Sequence, residues 1–423
     1  MIRSPFRYRS GWTSDDSLSC TRPVGKASCR NYPYEGVIVI KHGQIAVAMA
    51  VTIATLGALT GCGVVPTEAT SRDAVIALAM PVSGPDAPLA APMINAVKLA
   101  IDEANASGDL PGKLSLEVAD DQSSPSVGAS LARKFCGNTS TVAAIADYAS
   151  SITLNVQPIY NRCGMTQTVP TASNDALTTG GFDNFFRTTA KNSDEVVGAI
   201  DWIKANKPAV KTVATIDAND ASTASIAAQF VSEAKKKGLS VVDAIHVTAN
   251  QGDFRGALTG LLSESPDLIF IAAFFNDGGL IIKQARGLGY AGELFASDAS
   301  DSNDLIKISG ADAAEGFHLA SLGLDPTANP SASKFVSAFT EAYHVAPNSS
   351  ASQSYDTANV LIAAWKSIGG GTDRAALLEA VRKTSLTGVG GRIEFDEHGD
   401  MKEPQVGIKV VANGKWEFVG AAN

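Results

Sequence analysis

The sequence predicts an α/β protein built on two doubly wound parallel sheets. Strand-like apolar runs alternate with amphipathic helical stretches from residue 73 onward, the pattern that gives parallel sheets covered by helices. The strands are too numerous for one sheet. A chain of 423 residues that is 45% hydrophobic also carries more apolar material than a single core takes up, since cores rarely grow past roughly 250–300 residues.

The elements follow in order. Residues 74–79 (AVIALA) form an unbroken apolar run, as a strand buried on both faces requires. Helix 90–105 sets Met93, Val97, Ala100 and Ala104 on one face. Strand 114–119, helix 126–135, strand 142–145, helix 151–162 and strand 165–168 complete a first series, and Phe185-Phe186-Arg187 ends it. A second series runs through helix 194–207, strand 212–216, helix 225–237, strand 241–246, helix 254–264, strand 268–272, helix 278–288 and strand 294–296. The alternation then breaks. Helices 331–343, 352–367 and 374–384 precede strands 391–395, 405–411 and 415–419, with Asn413-Gly414 as a hairpin turn. Late strands that complete earlier sheets imply a chain that crosses between domains more than once.

The N-terminus reads as a targeting segment. Residues 45–59 (IAVAMAVTIATLGAL) contain no charge, follow Lys41 and His42, and exit on Leu59-Thr60-Gly61-Cys62. A basic region, an apolar core of that length and a small-residue exit make a secretory signal, and the run is short for a membrane span of about 20 residues. The exit resembles the bacterial lipobox, which implies cleavage before Cys62 and its lipidation; an uncleaved anchor helix is the alternative. Residues 1–38 fit no secretory pattern, which points to initiation near Val37 or Val39, or else to a long cytoplasmic leader.

Composition excludes several classes of function. A net charge of −9 argues against nucleic-acid binding. The five cysteines are not spaced as a zinc site, and no two histidines share a helix face, so neither metal nor cofactor is expected. The first strand leads into Pro81-Val82-Ser83-Gly84-Pro85 rather than GxGxxG, and there is no Walker loop, GxSxG elbow or HExxH. Asp120-Asp121 lacks a fixed partner. An enzyme is not expected.

Cys136 and Cys163 end the helices on either side of strand 142–145. With strand order 2-1-3-4, right-handed crossovers put both helices on one face and both ends at one sheet edge, so a disulfide is expected after export.

Residues 77–85 (ALAMPVSGP), 100–105 (AIDEAN), 186–188 (FRT), 284–289 (QARGLG), 314–316 (AEG), Tyr355-Asp356 and 395–400 (FDEHGD) occur in an order and spacing that resemble the branched-chain amino-acid type of periplasmic ligand-binding protein. The similarity covers residues 73–420. It implies a type I architecture of two lobes joined by a three-strand hinge, with the ligand in the cleft. The boundaries expected are a leader and signal over 1–61, a linker over 62–72, one lobe from 73–190 and 321–393, and the other from 191–320 and 394–423. The implied function is solute receptor of an ABC importer. Its partners are permease and ATPase subunits, its ligand an amino acid or similar small polar molecule, and its location the outer face of the cell membrane or the periplasm. A lipoprotein serving a membrane sensor is the alternative.

Ligands of open α/β sheets sit beyond the carboxyl ends of strands, which selects the loops to inspect. After strand 142–145, Ser150 and Ser151 open a helix, where hydroxyls and free N–H groups suit a carboxylate or serve as plain caps. The resemblance places a carboxylate-binding serine at Ser150 and ligand contacts at Thr171 and Ser173. It also puts Ser222 where the family carries a stacking tyrosine. Phe274, and less so Phe275, stands where the family lines its pocket with an aromatic pair. Asp298 matches the acidic residue that pairs with the ligand ammonium. It follows a strand end, and no Lys or Arg lies between residues 287 and 306 to neutralise it. Asp301 and Ser302 stand closer to the next helix and suit its capping.

Overall fold

A computed structural model describes residues 71–422. The expected leader, the apolar run and Cys62 lie outside the described residues. The first series of elements is β1 (Ala74–Met80), α1 (Ala87–Ala106), β2 (Leu114–Asp120), α2 (Pro125–Gly137), β3 (Thr141–Ala146), α3 (Ser150–Arg162), β4 (Thr166–Val169), the single turn α4 (Ala176–Thr179) and β5 (Phe185–Arg187). Their strands form a parallel sheet ordered β2-β1-β3-β4-β5. β3 is buried along its whole length and β1 nearly so, because helices cover both faces. β2 lies at the edge and is only partly buried.

The second series is α5 (Asn192–Asn206), β6 (Thr212–Asp217), α6 (Thr223–Lys236), β7 (Ser240–His246), α7 (Arg255–Ser263), β8 (Leu268–Ala272), α8 (Phe275–Gly287), β9 (Glu293–Ala296), α9 (Asn303–Ser309), α10 (Ala311–Ala314) and β10 (His318–Ser321). The chain continues through α11 (Ser333–Tyr343), α12 (Ser349–Ser367), α13 (Arg374–Arg382), β11 (Ser385–Thr387), β12 (Arg392–Glu394), β13 (Gly407–Ala412) and β14 (Lys415–Ala421). The second sheet is ordered β14-β13-β10-β9-β8-β6-β7, with β13 and β14 antiparallel. Asn413 and Gly414 both have positive φ (54° and 70°), the geometry of a type I′ turn.

α12 packs along α1 and touches β3 and β4, so it belongs with the first sheet although β10 before it and β13 after it belong with the second. The chain therefore passes between the two layers after Arg187, after Ser321 and again beyond Glu394. The run expected as a strand over 391–395 does not join a main sheet. It supplies only the short β12, which pairs with β11 in a separate two-stranded ribbon. α12 also starts three residues before the expected 352, because the Asn348 side chain caps it by accepting the Ala351 N–H at 3.0 Å.

Where the chain leaves the first sheet, the fully buried Arg187 guanidinium bonds Asp400 (2.5 Å), the carbonyls of Ala172 and Asn174, and Thr178 Oγ1. One cation thus ties the loop after β4 to the last crossing segment. Cys136 and Cys163 are joined at the ends of α2 and α3, their Cα atoms 5.9 Å apart. Beside them the Arg374 guanidinium donates to five carbonyl oxygens, of Thr141, Cys163, Phe135, Cys136 and Asn138. It thereby ties the ends of both helices, at Phe135, Cys136 and Cys163, to the turn at Asn138 and to the start of β3 at Thr141. Among the described residues no helix is long and apolar enough to cross a membrane.

Candidate functional site

A cavity of about 670 Å³, its open mouth included, lies between the two sheet layers. Ser150, the cap Ser222, the cap Phe274 and Ser349 all line it, and these stand at the first turns of α3, α6, α8 and α12. Each helix start carries the positive end of a dipole, although first-turn N–H groups are partly taken, by Ser222 at α3, by Asp220 at α6 and by Asn348 at α12. No Lys or Arg is among the lining residues, so an anionic group entering here meets dipoles and hydroxyls rather than a cation.

The hydroxyls differ in what they still offer. Ser150 Oγ accepts the Asn174 N–H (3.1 Å), and Ser222 Oγ accepts the Ser151 N–H (3.0 Å), so both keep an O–H to donate. Thr171 Oγ1 donates to the Tyr148 carbonyl (3.0 Å) and can only accept. Ser297 Oγ is buried and has no partner. Ser173 lines the cavity, and its carbonyl accepts the Asn192 N–H at 2.8 Å.

Apolar walls complete the space. Leu89 and Met93 come from α1, Ile226 from α6 and Leu322 from beyond β10. The Phe274 ring meets Tyr148 across the gap, centroids 5.7 Å apart. The Tyr148 hydroxyl donates to Asp86 at 2.6 Å, which pins that ring. Phe275 points instead into the core, 3% exposed.

At the other end, the Asp298 backbone N–H donates to Glu195 Oε1 (2.8 Å), and the two carboxyl groups are in contact. Burial pushes the Asp298 carboxyl up to about 7, with nearby Asp301 adding to the rise. Burial and the Asp298 charge hold Glu195 well above the usual carboxylate range. Next to them, Asp301 forms a buried ion pair with Lys409 on β13 (2.8 Å) and accepts from Ser321 and Ser349. Asp301 is therefore no helix cap; Ser302 alone caps α9, accepting the Asp304 N–H.

The structure thus brings Ser150, Thr171, Ser173, Ser222, Phe274 and Asp298 to one cavity. Ser151 is not among the lining residues, because its N–H is turned to Ser222 and closes the gap between the layers. Sequence reasoning did not find Glu195, the Asp301–Lys409 pair, Asn192, or the α12 residues Ser349, Ser350 and Gln353. Only the last group had a signal in reach, the Asn348 cap before Ser349. Among the described residues no three His, Cys, Asp or Glu side chains cluster as metal ligands.

Polar contacts that bridge the gap include Ser151 to Ser222, Asn174 Nδ2 to the Ala221 carbonyl (3.1 Å), Gln229 Nε2 to Asp175 (2.8 Å), Ser193 Oγ to Asp175 (2.5 Å) and Ser349 Oγ to Asp301 (3.0 Å). The layers are closed on each other.

The comparisons agree with this architecture. The chain is 26% identical over 355 residues to Leu/Ile/Val-binding protein homolog 1 of Brucella melitensis, covering 82% of this chain and 93% of that one. Its fold is similar to that of a leucine-binding protein from Thermotoga maritima, with TM-score 0.77, 26% identity, and 83% and 99% of the two chains covered. It is also similar in fold to an ABC transporter solute-binding protein from R. palustris in complex with benzoate, at TM-score 0.73, 23% identity and coverage of 82% and 96%. The family model described as periplasmic binding protein matches residues 74–415. The paired sheets, the cleft between them and this match establish that the chain belongs to the periplasmic binding protein family and has its solute-binding role.

Proposed function

We propose that this protein captures an amino acid in the cleft and presents it to the permease and ATPase of an ABC importer. The observation that carries the reading is the polarity of one cavity. Hydroxyl donors and helix N-termini occupy one end, and the Asp298 carboxyl the other. An α-amino acid carries the complementary pair, a carboxylate and an ammonium. Its side chain would lie against Phe274, Leu89 and Met93. Ser150, Ser173 and Ser222 are the proposed hydroxyl contacts for the ligand carboxylate, Thr171 is proposed as a contact through its backbone or as an acceptor toward the ligand's N–H groups, and Asp298 is proposed for the amine. Relatives named for leucine and related amino acids support the class, and the benzoate-bound neighbour marks the competing one.

The lobes are proposed as 73–190 with 321–393, and 191–320 with 394–423. Export and lipid anchoring through Cys62 rest on the Leu-Thr-Gly-Cys exit of the apolar run. Detergent partitioning of wild type and Cys62→Ala tests this: wild type that stays wholly aqueous, with processing unchanged in the variant, contradicts it. The Cys136–Cys163 bridge is proposed for the exported protein, and peptide mapping without reduction that finds two free thiols rules it out.

A thermal-shift screen of the standard L-amino acids and simple aromatic acids tests the ligand class. A solute at 100 times its Kd stabilises the fold by about 2.7 kcal/mol. The expected result is a shift with one or a few amino acids and recovery of the solute unchanged. A shift only with amine-free acids overturns the reading.

A further inference from the structure

We infer that Glu195 and Asp298 act as one amine-recognition unit, which holds an extra proton between its carboxyl groups in the unliganded cleft and gives it to solvent when a ligand ammonium enters. The inference deepens the amino-acid reading and rests on it. It makes Glu195, a residue outside the cavity lining, a determinant of selectivity for cationic amines.

The geometry is specific. Glu195 projects from the first turn of α5 and is 1% exposed. Its Oε1 accepts the Asp298 N–H, and its Oε2 is buried without a partner. Two carboxyl groups in contact repel each other unless a proton lies between them. The Ser297 hydroxyl, fully buried and unpartnered, lines the same part of the cavity. The unit thus has unsatisfied polar capacity next to a ligand-sized space.

The charged groups that face the unit cannot supply the missing cation. Lys409, from β13, is taken by Asp301, and that ion pair is shielded by Ser321 and Ser349. On α5 itself, Asp194 accepts the Lys191 N–H, and the Lys191 ammonium pairs with Asp400. Burial accordingly lifts both carboxyls of the unit. An ammonium ion placed on Asp298 supplies the absent positive charge, and Asp298 then ionises while Glu195 keeps its proton and donates it to Asp298. One proton leaves for each ligand bound. Since the ligand binds the deprotonated Asp298, affinity weakens as pH falls below about 7, tending to tenfold per pH unit. An amine-free acid gains nothing from the unit.

The test is calorimetry of the full exported chain with each standard L-amino acid and with the deaminated analogue of the tightest binder. Titrations are run at pH 6 and pH 8 in buffers of differing ionisation enthalpy. The expected result is release approaching one proton per ligand at pH 6 and little at pH 8. Glu195→Gln keeps the side-chain volume, an acceptor for the Asp298 N–H and a donor to its carboxyl, but carries no charge. Because Glu195 stays protonated before and after binding, this variant imitates it and should bind at pH 8 within a few fold of wild type on the wild-type pH profile. Glu195→Leu cannot donate to the ionised Asp298, so its pH dependence should move to higher pH, whereas a merely structural Glu195 would leave it on the wild-type curve. Amino-acid binding without proton release, or an unmoved profile in Glu195→Leu, overturns the inference and leaves the amino-acid reading intact. Binding of the deaminated acid with no binding of any amino acid overturns both.

Discussion

A serine hydroxyl that already accepts one hydrogen bond still holds its O–H, and the O–H is what it can offer a carboxylate, which only accepts. Ser150 is in that position, because the Asn174 N–H occupies its oxygen. Replacing it by alanine removes a donor to a charged group, worth about 1.5–3 kcal/mol. Ser150→Ala is therefore expected to weaken amino-acid binding roughly ten- to a hundredfold, measured by calorimetry at pH 8. Asp298→Ala should cost about 2–5 kcal/mol of binding, as truncation of one partner of a buried charge pair does. Arg187 acts at the same scale on stability. Arg187→Met leaves two loop carbonyls without this donor and the Asp400 carboxylate with only Lys191 and Thr178 as partners, so the loss should approach but not exceed the about 3–5 kcal/mol of breaking a buried pair. Denaturant melting should read that loss; an unchanged midpoint would contradict it. Site residues at strand ends were legible in the sequence because strand ends are where such sheets bind ligands, and Ser150 and Asp298 follow β3 and β9 closely. Glu195 was not. It meets Asp298 from 103 positions away, and Lys409 meets Asp301 from 108, so no local pattern links them.

The elements turn these side chains into a site by converging helix starts on one space. α12 belongs to that set only because it begins at Ser349, and Asn348 fixes that beginning. Asn348→Ala should cost about 1 kcal/mol of stability. It should also weaken binding, since Ser349 and Ser350 line the cavity. The bridging contacts govern closure. Gln229 does not line the cavity, yet it ties α6 to Asp175. Gln229→Ala is expected to lower affinity about fivefold, the worth of one net hydrogen bond of about 1 kcal/mol, by disfavouring the closed form. Stopped-flow binding should place the loss in the dissociation rate. The parallel sheets and the β13–β14 hairpin were readable from apolar runs and from Asn413-Gly414. The fate of residues 391–395 was not, because a few residues of alternating polarity read alike in a main sheet and in the β11–β12 ribbon.

Across the whole molecule the buried carboxyls set the response to pH. Asp121 and Asp356 are pushed up to about 6, and Asp298 to about 7, chiefly by burial. A carboxyl whose folded pKa is raised binds more protons folded than unfolded between its two pKa values, so it adds stability as pH falls through that window. His318 works the other way. Burial lowers it to about 4, so its contribution is present above 6.5 and fades as pH falls toward 4. Three raised carboxyls outweigh one depressed imidazole, and the unliganded protein should melt higher at pH 5.5 than at pH 8. Amino-acid binding should move oppositely, weakening over the same interval.

The central claim is that one amino acid spans the cleft from α3 to the loop after β9. A crystal structure of the protein with the amino acid selected by the thermal-shift screen tests it most directly. The account predicts the ligand carboxylate within about 3 Å of Ser150 Oγ and the ammonium within the same distance of an Asp298 carboxylate oxygen. A ligand bound outside this cavity, or one whose ammonium makes no contact with Asp298, would contradict it.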